Sequence, residues 1–182
     1  MSETPTMSLV AELSTDLRAA RARYDKLPRG DVATLRRCRT ADEVAIEGIY
    51  WRIGSPLARR QVHLPHVVLH FPLAKQHVKE GFSFGRFLNR QLGDSDGAAL
   101  RFRRLLDSRD RDDLDHRLRG ILRLACADGN PVDWGILGVD ILWFFSESGA
   151  IRRRWAQDFY APTTSHPTAP STSSTPDSKD RP

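Results

Sequence analysis

Apolar residues along the chain recur at helical spacing, and alternation of the kind a strand needs is convincing nowhere. Leu9, Leu13, Leu17, Ala20 and Tyr24 fall on one face of a helix that turns about 100° per residue. The pattern stops at "LPRGD", after which Asp31 is placed to cap a short helix carrying Val32, Leu35 and Cys38. "TADE" at 40–43 has the Thr-x-x-Glu form of a capping box and predicts a helix through Tyr50 and Trp51. "VHLPHVVLHFPLAKQH" at 62–77 predicts a helix that begins near Pro65 and is disturbed at Pro72, and Ser83 opens another. Beyond the "GDSDG" loop, segment 98–107 carries Phe102, Leu105 and Leu106, while 112–127 gathers Leu114, Leu118, Ile121, Leu122 and Ala125 into one narrow stripe.

The last two predicted helices differ from these. After "GNP", Trp134, Gly138, Ile141 and Phe145 occupy one side and Ile136, Val139 and Trp143 the other. A helix apolar all round is a buried one. Asp140 lies in its middle, where an unpaired carboxylate is costly, so an arginine from a neighbouring helix is expected to meet it. No second carboxylate or histidine stands at a spacing that would make Asp140 a catalytic acid. In "IRRRWAQDFY" at 151–160, Ile151, Trp155 and Phe159 share a face and Arg152, Arg153 and Arg154 spread over the rest.

These segments predict an all-α protein of two small packed helical bundles with disordered termini. Residues 1–8 are expected to be disordered, 9–80 to form an N-terminal bundle, 81–160 a C-terminal bundle, and the Pro/Ser/Thr-rich tail 161–182 to be disordered. The loop around "KEGFSFG" is the expected seam. Two cysteines, Cys38 and Cys126, the lack of a signal segment and the lack of an apolar run near the ~20 residues that span a bilayer point to a cytoplasmic, reduced protein without a membrane partner.

Charge adds a direction to this outline. The net charge is +5, and arginine outnumbers lysine 24 to 4. Guanidinium forks match phosphate geometry, although codon usage in a GC-rich genome produces the same bias. The arginines cluster as Arg36 with Arg37, Arg59 with Arg60, Arg101 with Arg103 and Arg104, Arg119 with Arg123, and Arg152 to Arg154, with few acidic residues four positions away to neutralise them. On the helix 112–127, Arg119 and Arg123 are expected to point almost directly away from the apolar stripe. One such cluster is an ordinary solvated face; five together favour a groove for a phosphate backbone.

Enzyme chemistry has little to stand on. The chain has no phosphate-cradling glycine loop, no His-x-Glu with Cys-x-x-Cys and no Gly-x-Ser-x-Gly elbow. His63, His66, His70 and His77 form a group in which His66 and His70 stand four residues apart, but no further ligands for a metal are evident nearby. They are read as partly buried histidines, with no catalytic residue, metal or cofactor expected.

Taken in order, "RGDVATLRRC", "SFGRFL", "RFRRLLDSRDRDDLDHRLRGILRLA", "VDWGILGVDILWFF" and "RRRWAQDFY" resemble the CasB family, the small subunit of the type I-E CRISPR Cascade surveillance complex. The likeness spans about residues 29–160, and its specificity lies in the ordered set. It implies a non-catalytic all-α protein, present as two copies beside other Cascade subunits. It also implies a basic surface that meets guide RNA and the target or displaced DNA strand and helps hold an R-loop open. Carried over by motif, Arg36 and Arg37 stand in "LRR", Arg101 in "RFRRLL", Arg119 in "LRG", and Arg152 and Arg153 before the final tryptophan, with Arg59 and Arg60 corresponding loosely. Arg123 joins them from its position on the same helix as Arg119. The alternatives are a helix-turn-helix DNA-binding regulator built on residues 31–54 and a nuclease using the histidines.

Overall fold

Helix α1 runs from Met7 to Tyr24 and buries Leu13, Leu17, Ala20 and Tyr24, the face its spacing predicts. The computed structural model describes residues 7–74, 82–93 and 96–161. The chain continues through α2 (Arg29–Arg37), α3 (Ala41–Ile46), α4 (Gly48–Gly54), a 3-10 turn at Leu57–Arg59, α5 (Leu64–Val68), a second 3-10 turn at Phe71–Leu73, α6 (Phe84–Leu92), α7 (Asp96–Leu106), α8 (Arg111–Ala125), α9 (Trp134–Trp143) and α10 (Ala150–Tyr160). The described residues contain no strand, only an isolated bridge position at Val132, so the fold is all-α. Of the expected seam around residues 79–85, residues 82–85 are described, with Phe84 and Gly85 already in α6; the boundary expected between residues 80 and 81, and the expected disordered tail from residue 162 onward, lie outside the described residues. So does most of the N-terminal segment, although Met7 and Ser8 already belong to α1.

Local rules explain most boundaries. Thr40 accepts from Glu43 N–H at 3.2 Å, while the Glu43 carboxylate reaches back to Arg39 N–H at 2.6 Å, so both side chains of the capping box are engaged. Ser83 accepts from Arg86 N–H at the start of α6. Two expectations need correction. Asp31 is not a cap, because α2 begins two residues earlier behind Pro28; it lies in the first turn and pairs with Arg52 at 2.7 Å. The single helix expected from Thr40 to Trp51 is broken at Glu47, whose extended backbone (ψ 128°) ends α3 and restarts the chain as α4 at Gly48. Pro72 acts as predicted, leaving α5 short and the following turn 3-10.

α9 is the centre of the molecule. It is buried along nearly its whole length, and α1 and α5 pack against it. Two glycines make the approach of α1 close: a Cβ on Gly135 would stand 2.5 Å from Ser14 Oγ, and one on Gly138 would stand 2.9 Å from Leu17 Cδ1. α10 lies along α6 through Gly85, where a Cβ would fall 2.2 Å from the Trp155 carbonyl oxygen. Trp155 and Phe159 are buried as expected, with Phe84 and Phe144 against the Trp155 ring and Phe102 stacked on Phe159 at 4.0 Å. Buried apolar residues from α1 to α10 join one cluster. Asp140, within that cluster, is met by Arg154 as expected and also accepts from Trp155 Nε1 at 2.5 Å.

Candidate nucleic-acid interface

Not every arginine is available to a ligand. Arg21 is fully buried, donating to the Phe71 and Ala74 carbonyls at 2.9 and 2.8 Å while its guanidinium lies over the Tyr24, Phe71 and Trp134 rings. Arg111 donates to the Ile141 and Leu142 carbonyls at 3.2 and 3.1 Å, where the end of α9 leaves acceptors unsatisfied. Arg18 forks onto Asp133 at 3.1 and 2.8 Å. Arg152 belongs to this group as well. It is half-buried, donates to the Ser108 carbonyl at 3.3 Å and lies over Phe144 and Phe145. Its place on the expected free face of the last helix is therefore corrected: α10 packs so that residue 152 meets the segment between α7 and α8.

Of the other predicted site residues, Arg36 and Arg37 are exposed on the last turn of α2, Arg36 reaching the Tyr24 hydroxyl and Arg37 donating to Thr34 Oγ1 at 3.2 Å. Arg59 and Arg60 are exposed at the first 3-10 turn, Arg101 is exposed on α7, and Arg153 is exposed on α10. These surfaces are set on separate elements.

One groove does bring arginines together. It holds about 560 Å³ and is lined by Arg39, Thr40, Asp112, Asp115, His116, Arg119 and Arg123. Residues 112, 115, 116, 119 and 123 share one face of α8 by helical spacing, and the turn between α2 and α3 forms the facing wall. Arg119 is not directed straight outward as its position opposite the apolar stripe predicts. The α2–α3 turn covers that part of α8, and Arg119 Nη2 donates to the Cys38 and Arg39 carbonyls at 3.2 and 3.3 Å. Burial, the Arg123 charge and the Arg39 charge pull its pKa down, while Asp115 and Glu43 oppose them. Mutual proximity of three guanidiniums is unfavourable until an anion joins them. Sequence patterning does not single out Arg39, although it completes the "RRCR" run that supplies Arg36 and Arg37.

Two histidines stand behind the groove residue Asp115. Asp115 is buried and accepts from His66 Nδ1 at 2.6 Å and from His70 Nε2 at 2.9 Å. Burial alone would raise its carboxyl pKa, but the two imidazoles hold it below the ordinary carboxylate range. His63 is pushed down by burial, Arg111 and His66. His77 lies outside the described residues. In the segment proposed for a helix-turn-helix, α3 and α4 span six and seven residues and turn Val44, Ile49, Tyr50 and Ile53 into the core.

An all-helical fold with an arginine-walled groove is thus the class of protein at hand. The sequence model of "CRISPR-associated protein Cse2 (CRISPR_cse2)" matches residues 31–160. The chain belongs to this family, the CasB family that its ordered motifs resemble. Among curated proteins none matches. Two solved structures share the fold. One is a chain of E. coli Cascade bound to a PAM-containing dsDNA target, at 24% identity and TM-score 0.66 over 79% of this chain and 93% of that one. The other is CasB from Thermobifida fusca, at 20% identity and TM-score 0.59 over 84% and 97%. No helix among the described residues is long and apolar enough to cross a membrane.

Proposed function

We propose that the protein is a non-catalytic small subunit of a type I-E Cascade complex that grips nucleic-acid backbone without sequence preference and stabilises the R-loop. Convergence of Arg39, Arg119 and Arg123 on one groove carries this reading, and family membership gives it its setting. The structural neighbour drawn from Cascade bound to a PAM-containing dsDNA target is consistent with it. In such a complex the partners are other Cascade subunits, a second copy of this chain, guide RNA and the target or displaced strand, in the cytoplasm.

The physics is that of a small bias on a balanced exchange. A guide–target heteroduplex is about as stable as the duplex it replaces, so backbone contacts that favour the opened state tip the equilibrium. Guanidiniums in a groove supply such contacts through phosphate neutralisation and leave base identity to the guide. Arg36, Arg37, Arg59, Arg60, Arg101 and Arg153 extend the basic surface beyond the groove. Arg119 forms its wall, and Arg152 anchors α10 and is assigned no phosphate. The test is a reconstituted Cascade carrying Arg39→Glu with Arg123→Glu. R-loop lifetime is expected to fall several-fold with little change in the rate of target search, and an unchanged lifetime in a fully assembled complex would overturn the reading.

A further inference from the structure

Two of the residues that line the groove, Asp112 and Asp115, also belong to a second cluster. His66 on α5 and Asp112 and Asp115 on α8 each present one possible ligand atom, and these atoms lie within 4.8 Å of one another. Asp112 and Asp115 stand three residues apart, which sets both carboxylates on one side of α8. The second oxygen of Asp115 is fixed by His70, an imidazole with no solvent exposure. A buried outer partner that orients a ligating carboxylate is how metal sites hold their ligands in place. Asp112 is exposed and lines the groove, so the cluster is open to solvent on that side.

The cluster also sits oddly in a groove for phosphates. Two carboxylates beside Arg39, Arg119 and Arg123 repel the anion that the guanidiniums attract. A divalent cation between them reverses that repulsion and adds positive charge where a phosphate oxygen would lie.

We propose that His66, Asp112 and Asp115 bind one divalent transition-metal ion, zinc by ligand chemistry, with its remaining positions open to water or to a phosphate oxygen. An imidazole with two carboxylates suits zinc better than the harder magnesium or calcium ions. Ligands at about 2.0–2.2 Å from a tetrahedral ion lie about 3.3 Å apart, so the 2.6 Å contact between His66 Nδ1 and Asp115 Oδ2 opens by less than an ångström to admit it. The ion organises the groove, and no bond is made or broken. The site stands whether or not the groove carries nucleic acid.

The experiment uses the full chain, stripped with chelator and dialysed against zinc chloride without nucleic acid, with bound zinc measured by elemental analysis. About one zinc per chain is expected. Asp112→Asn, at an exposed position, and His66→Gln are each expected to weaken binding at least about tenfold, with helical circular dichroism unchanged, while His116→Ala retains it. Binding below about 0.2 zinc per chain, or unchanged affinity in Asp112→Asn, overturns the proposal, the second result placing the ion on other histidines.

Discussion

Arg119 and Arg123 are separated by one helical turn yet do different jobs, and the difference is measurable. Arg119 donates to two backbone carbonyls at the end of α2, so it joins α8 to the α2–α3 turn as well as walling the groove. Two hydrogen bonds at about 1 kcal/mol each make Arg119→Ala destabilising by about 1–2 kcal/mol, a Tm lower by roughly 3–6 °C. Arg123 is exposed, and its removal is expected to cost less than about 0.5 kcal/mol. Thermal unfolding of the two variants followed by circular dichroism checks this, and equal Tm values would show that the carbonyl contacts contribute nothing. Helical spacing places both arginines opposite the apolar stripe, which is correct for α8 alone. It has no means of showing a turn some 80 residues away in sequence closing over one of them. Arg21 is more legible, since it follows Leu17 and Ala20 on the buried face of α1.

At the scale of elements, helices are readable wherever an apolar stripe and a cap coincide, as in α6 behind Ser83 and α8 behind Asp110, and α10 is readable from its apolar stripe alone. They are misread where a backbone break carries no apolar signal, as at Glu47. Close packing is less visible, because a glycine in a helix looks like a weakness until its neighbour is known. Gly85 and Gly120 separate the two cases. A Cβ at Gly85 would stand 2.2 Å from the Trp155 carbonyl oxygen, part of a helix backbone that has no flexible end to move, whereas nothing lies within 4 Å of one at Gly120. Gly85→Ala is expected to force α6 and α10 apart at a cost of about 3 kcal/mol or more. Gly120→Ala, inside α8 and exposed, should gain about 0.5–1 kcal/mol. Chemical denaturation of both checks the pair, and a neutral Gly85→Ala would mean that the two helices do not meet as described.

For the whole molecule, the excess of arginine has two explanations that act at once. Some arginines hold the fold: Arg18, Arg21, Arg111, Arg152 and Arg154 bind carboxylates or carbonyls within the chain. Others are exposed or line the groove without such internal roles, and under the proposed function these are the ones that meet a polyanion. Clustering in sequence cannot sort them, since Arg152 is held against Ser108 and Phe144 while its neighbour Arg153 is exposed. The groove itself is half legible: Arg119 and Arg123 by helical spacing, Arg39 by its run, but their convergence only through tertiary structure. The central claim is that this groove neutralises backbone phosphates, and the most direct measurement is filter binding of single- and double-stranded DNA by the chain and by Arg39→Ala with Arg123→Ala, at a series of salt concentrations. Weaker binding is expected for all sequences alike, with a salt slope shallower by roughly one unit for each phosphate the groove no longer neutralises; equal affinity and equal slope in the double variant would show that the groove neutralises none.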